Sequence, residues 1–202
     1  FGQSMEIFMG SLLAGDNAAV PSPYDFALGG KGLDPSLPGG VSGTLLQAGQ
    51  CFMVDMGGNF YGYMGDMSRV FSIGRLPEQA YTAHQTCIEI QEEIAAMAKP
   101  GTVCEDMYNK AIEIVTKAGF ADYFMGVDQK AKFIGHGIGL EINEMPVLAP
   151  RMKQELEPGM VFALEPKIVL PGIGPVGIEN SWAVTTDSLE KLTLCKEEII
   201  EL

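Results

Sequence analysis

Residues 51–73 read CFMVDMGGNFYGYMGDMSRVFSI, and the way this run folds decides how the rest of the chain is read. It is rich in aromatic residues, Val and Ile, and is broken by Gly-Gly-Asn, so two antiparallel strands around that turn are expected. Two acids lie inside it, Asp55 in FMVDMG and Asp66 in YMGDMS. Pairing the strands about a turn near Asn59 to Gly62 brings both carboxylates to opposite or nearly opposite positions on one face. Charged side chains are rarely buried in apolar strands unless they are paired or bound to a metal.

The arrangement recurs further along. VFALEPKIVL (161–170) and VGIENSWAVT (176–185) flank the turn-rich PGIGP, which predicts a second hairpin carrying Glu165 and Glu179. Four acids in oily strands need compensation. Arg69 and Lys167 are the cations within the two hairpins, enough to neutralise part of the cluster. Two divalent cations would balance all four carboxylates, and His136, in GHGIGLEINEMP (135–146), could add a neutral nitrogen ligand. The plain alternative is that backbone amides satisfy the acids and His136 is an ordinary core or loop histidine.

Between the hairpins, residues 77–99 carry Ala80, Ala83, Cys87, Ile90, Ile94 and Met97 at three- and four-residue steps, one buried helix face that ends at Pro100-Gly101. A second helix is expected with Thr102 as N-cap and Glu105 completing a capping box. Its apolar face is Val103, Met107, Ala111, Ile114 and Ala118, with Gly119 as its stop. The Gly- and Pro-rich first 50 residues suggest strands and ordered loops. Strand pair, helix pair, strand pair is an α+β layout.

The chain has 202 residues, 47% of them hydrophobic, suited to a single globular unit. Its 26 acidic against 13 basic residues give a formal net charge of -13, which argues against nucleic acid or an anionic membrane as partner. No stretch approaches the ~18 apolar residues of a membrane span, and FGQSMEIFMG lacks the layout of a secretory signal. Cys51, Cys87, Cys104 and Cys195 are far apart, as reduced thiols would be. A soluble, cytoplasmic protein is the expectation.

VDMGGNFYGYMGDMSRVF, GHGIGLEINEMP, GMVFALEP and GIENSWAVT, in this order, resemble the metal-binding segments of the pita-bread metallopeptidases. These are methionine aminopeptidase, aminopeptidase P, prolidase and their relative creatinase, and the resemblance is strongest to the Xaa-Pro peptidase branch. It implies a pita-bread fold, two pseudo-symmetric halves around a curved antiparallel sheet, with residues 1–202 as a metallopeptidase-like catalytic domain. It also implies that further helices and an N-terminal domain would precede Phe1, so that the chain is a fragment. Carried over residue by residue, Asp55 would bind one metal, His136 and Glu165 the other, and Asp66 and Glu179 would bridge the two. A water or hydroxide between the ions would attack the amide carbonyl, with Glu165 moving the proton to the leaving amine. Manganese, cobalt, zinc and iron all suit such a site. The substrate would be a short Xaa-Pro peptide, and a homodimer is implied.

Three departures bear on activity. Asn143 stands where many relatives have a substrate-binding histidine, and Gly39 in SLPGGVSG where another follows Leu-Pro. Gly177 precedes Ile-Glu where Xaa-Pro peptidases often carry arginine. Two alternatives follow: a degenerate member that retains the metal site as a binding or interaction module, or a non-peptide C–N hydrolase. His84, in the first helix, and Trp182 with the methionines at 53, 56, 64, 67 and 160 are expected to be structural.

Overall fold

The computed structural model describes residues 10–20, 27–32, 34 and 40–202. Gly39, Phe1 and most of the loop sequence before Gly40 lie outside the described residues. In chain order the elements are β1 (Gly10–Ala14), β2 (Gly40–Val41), β3 (Cys51–Phe60), β4 (Tyr63–Ser72), α1 (Glu78–Met97) and α2 (Cys104–Lys117). They continue with β5 (Gly135–Gly137), β6 (Glu144–Val147), β7 (Val161–Leu164), β8 (Lys167–Leu170), β9 (Gly174–Gly177), β10 (Asn180–Val184), β11 (Leu189–Lys191) and β12 (Ile200–Glu201).

Among the described residues two five-stranded sheets result, ordered β12-β4-β3-β1-β2 and β11-β10-β7-β5-β6, antiparallel except for the parallel edge strands β12 and β2, with β8-β9 as a separate ribbon. A bridge between Ser68 and Glu179 joins the sheets edge to edge where the acids lie. The layout is the expected α+β. α1 packs on α2 and on both strands of the ribbon. Its expected face is buried from Ala80 to Ile94. Met97 is the exception at 38% exposed, because the helix ends there and Ala98 turns inward instead.

The first hairpin forms, with its reversal inside the expected Asn59 to Gly62 stretch rather than at Gly-Gly-Asn. Gly57, Gly58 and Asn59 are part of β3, and the reversal is made by Tyr61 and Gly62, both with positive φ, the geometry of a tight two-residue hairpin loop. Asn59 serves the turn from outside, its Oδ1 accepting from the Gly62 N–H at 3.1 Å. The second hairpin also differs. Each long apolar run breaks into two strands, at Glu165-Pro166 and at Ile178-Glu179, so β7 and β10 pair in the second sheet while β8 and β9 pair in the ribbon. Proline cannot donate to a ladder, and Pro166 marks the first of these breaks.

The capping box before α2 does not form. Val103, not Thr102, is the N-cap residue, and it sits half-buried in a bridge to Glu155. The free N–H groups of Cys104 and Glu105 are instead met by the carbonyls of Gln154 and Met152 from the strand-like segment that crosses the helix start. Glu105 is thereby released to bind the Arg151 N–H at 2.7 Å and the Lys153 ammonium. At the other end Ala118 is exposed as the C-cap residue, and Gly119 stops the helix at φ +83.

Candidate metal centre

The five residues singled out from the sequence converge on one place. In the β3–β4 ladder Asp55 pairs with Ser68 and Asp66 with Gly57, so the two acids share a face but are offset diagonally rather than opposed. Glu165 and Glu179 sit at the two strand breaks, where the chain passes between the second sheet and the β8-β9 ribbon, and both side chains reach the cluster that holds Asp55 and Asp66. His136 comes from β5, the strand between β6 and β7.

The glycines beside His136 are there for close approach. A Cβ on Gly135 would lie 2.3 Å from the Ala163 carbonyl oxygen, and one on Gly137 would lie 2.2 Å from that of Met145. Neither position can carry a side chain while β5 remains between its neighbours. The His136 Nδ1 lies 3.1 Å from the Gly137 carbonyl oxygen, which can only accept, so that ring nitrogen carries the hydrogen. Its Nε2 is left to face Glu165 Oε1 at 3.5 Å, Asp66 Oδ2 at 3.8 Å and Glu179 Oε1 at 4.0 Å.

Lys167 accounts for the other half of the cluster. Its Nζ donates to Asp55 Oδ2 at 2.7 Å, Glu165 Oε2 at 2.7 Å and Glu179 Oε2 at 3.1 Å, and its side chain is 0% exposed. Burial alone would lower the pKa of this ammonium, but the three carboxylates outweigh burial and raise it well above the ordinary lysine value. Arg69, the other cation in the hairpins, plays no such part. Its guanidinium turns to the backbone carbonyls of Ser68, Glu179, Cys195 and Lys196 and to Asn180 Oδ1, tying the C-terminal segment to the sheet.

Burial, and then the neighbouring carboxylates Asp55 and Glu165, push the Asp66 carboxyl up to about 8. Glu179 is raised well above the ordinary carboxylate range, by burial first and Glu165 next. Its Oε2 also accepts from Ser68 Oγ at 2.6 Å. Both carboxyls therefore hold a proton more readily than exposed acids do.

Several residues that position the site were not singled out from the sequence. Gln91 on α1 donates to the carbonyls of Leu164 at 2.6 Å and Ile178 at 3.3 Å, the residues just before Glu165 and Glu179. Its Oε1 accepts from Asn180 at 2.7 Å, so one buried amide holds both strand breaks. The signal available was a polar residue on the apolar face, four positions after Cys87. Ser68 and Asn180 carried no such signal. His84 is more than a plain helix residue: it is buried, its Nδ1 accepts from the Gly177 N–H at 3.2 Å and its Nε2 donates to the Glu197 carbonyl at 2.6 Å.

The cleft in front of the cluster is lined by Ser11, Leu28, Phe133, Ile142 and Asn143 among others. Asn143 is exposed just before β6. Gly177 has φ +136, and a Cβ there would lie 2.4 Å from the Pro166 carbonyl oxygen, so an arginine does not fit this backbone.

Among the described residues two groups of side chains offer atoms close enough to share an ion, Asp66 with His136 and Glu179, and Asp55 with Glu165 and Glu179. The first fits a divalent cation, with one imidazole nitrogen and carboxylate oxygens around it. The second is already engaged by Lys167.

The model of metallopeptidase family M24 matches residues 2–186. Among curated proteins the chain is 30% identical over 185 residues to the Xaa-Pro dipeptidase of Pyrococcus furiosus, covering 91% of this chain and 51% of that protein. It is 31% identical over 192 residues to the Xaa-Pro dipeptidase of Lactobacillus helveticus, covering 95% and 46%. Among solved structures the X-Pro aminopeptidase of Thermotoga maritima superposes with a TM-score of 0.79 at 26% identity, over 96% of this chain and 48% of that one. The chain spans about half the length of the relatives it matches. Its fold is the pita-bread fold expected from the sequence.

Proposed function

The chain belongs to metallopeptidase family M24, and from that premise we propose that it is a metal-dependent hydrolase acting on a short Xaa-Pro peptide, with residues 1–202 as one catalytic domain. The observation that supports this best is the convergence of Asp55, Asp66, His136, Glu165 and Glu179, from three strands and two strand breaks, at the floor of a cleft.

A divalent ion at such a site supplies Lewis acidity, lowering the pKa of a water and polarising the scissile carbonyl. The chain's own groups do the rest. The Nδ1–H bond to Gly137 holds the His136 ring so that Nε2 meets the carboxylates. Glu165 has one oxygen tied to Lys167 and the other turned toward His136, which leaves Oε1 to take up a proton and deliver it to the leaving amine. Ser68 and Lys167 fix Glu179. The Asn143 amide, which lines the cleft, would donate a hydrogen bond to bound peptide but cannot become cationic.

The test is hydrolysis of Xaa-Pro dipeptides by the purified chain with added Mn2+ or Co2+, before and after chelation. Turnover that vanishes on chelation, and that falls ~100- to 10,000-fold in Glu165→Gln, is the expected result. A second reading, a family member that keeps the metal site as a binding module, is favoured by the ammonium among the acids; wild-type chain that binds Mn2+ without turning over Xaa-Pro dipeptides would favour it over the first, and chain that does neither would sink the enzyme reading. The proposed reading carries a cytoplasmic location, supported by the buried free thiols of Cys51, Cys87 and Cys104. Among the described residues no helix is long and apolar enough to cross a membrane. It also carries a homodimer, which light scattering on the purified chain would test.

A further inference from the structure

We propose that the ammonium of Lys167 is a built-in cation that takes one of the two positions in the acidic cluster, so that the centre admits a single divalent ion, on the His136 side. The inference rests on the metal-dependent reading above and narrows the expected two ions to one.

The first support is exclusion. An ammonium has three N–H bonds, and Lys167 Nζ has three carboxylate oxygens within hydrogen-bond distance. A metal bound by those same oxygens would sit about 2.0–2.2 Å from each, in the volume Nζ fills. The two cations are alternatives at that position.

The second support is anchorage. Lys167 begins β8, in register with Gly177 of β9, and its carbonyl accepts from the Met125 N–H at 2.8 Å. The two strands are so close that a Cβ on Gly177 would lie 2.8 Å from the Lys167 Cα. With the side chain fully buried, withdrawing Nζ would break three charge-assisted bonds and would require β8 to move.

The third support is the division of the carboxylates. Glu165 and Glu179 each direct Oε2 to Lys167 and Oε1 toward His136, while Asp55 serves the lysine and Asp66 faces the imidazole. On the His136 side Nε2 stands 3.5 Å from Glu165 Oε1, 3.8 Å from Asp66 Oδ2 and 4.0 Å from Glu179 Oε1, too far to join these oxygens as Lys167 does on the other side. One ammonium and one divalent ion compensate the four carboxylates to within a single charge.

The experiment is Mn2+ stoichiometry by equilibrium dialysis and elemental analysis on the purified chain, with electron paramagnetic resonance of the bound Mn2+. About one Mn2+ per chain with the spectrum of an isolated ion is expected for wild type, rising to about two with an exchange-coupled spectrum in Lys167→Ala. Two Mn2+ in wild type would overturn the proposal and leave the metal-dependent reading standing; none in wild type would overturn both. A folded Lys167→Ala chain that still binds one ion would also overturn it. Should that variant fail to fold by circular dichroism, the wild-type count and spectrum decide alone.

Discussion

The two sides of the acidic cluster share Glu165 and Glu179 and differ in what answers their charge. On the β8 side the chain supplies its own cation, Lys167, at hydrogen-bond distance from three acids. On the β5 side the oxygens meet an imidazole nitrogen at longer range, and Asp66 is left with a carboxyl pushed up to about 8. Buried acids can be compensated from within, permanently, or by protons that an incoming cation displaces. One centre does both.

The largest effect that would break this comparison is on the lysine side. In metal-free chain, Lys167→Ala should cost ~3–5 kcal/mol, because it leaves three carboxylates without their buried partner. Urea unfolding with and without Mn2+ measures this, and the ion should restore part of the loss. If His136→Ala costs metal-free protein as much, the two sides are not different in kind.

The next effect concerns pH and belongs to the histidine side. Burial, with Asp55 and Glu165 behind it, raises Asp66 from 3.8 to about 8 on folding. Between those values the folded chain keeps a proton that the unfolded chain has released. Stability from this group is therefore full below pH 3.8 and is lost as pH rises through about 8. Metal-free wild type should become less stable across that window, and Asp66→Asn should flatten the slope in thermal melts taken at a series of pH values. An unchanged slope would show that the Asp66 side is not held by protons.

The smallest effect sharpens the comparison through the frame that both sides share. Gln91→Leu removes the amide that holds the carbonyls before Glu165 and Glu179, and should cost ~1–3 kcal/mol in urea unfolding. Mn2+ affinity should fall ~10- to 100-fold, as when a supporting hydrogen bond behind a ligand is lost. Affinity that is unchanged while stability drops would confine Gln91 to the fold.

Much of the site was legible because its residues violate local expectation: acids inside apolar strands and a histidine between glycines stand out against their neighbours. Lys167 was visible as a possible partner, but nothing nearby in sequence showed that Nζ would meet Asp55, 112 positions away. Gln91 and Ser68 act through contacts of similar span, and their chemistry is ordinary for a helix and a strand. The capping box at Thr102 failed for a related reason. Its local signal was outbid by carbonyls brought from residues 152 and 154.

By itself the sequence determined the two helices and the first hairpin, through periodicity and turn chemistry, and which five residues are out of place among their neighbours. Tertiary structure alone decided where the apolar runs break at Glu165 and Glu179, and which cation stands among the acids. Strand patterns depend on neighbours one or two positions apart. Compensation of buried charge depends on whichever groups the closed sheets bring within about 3 Å, and that distance is set only when the chain has folded.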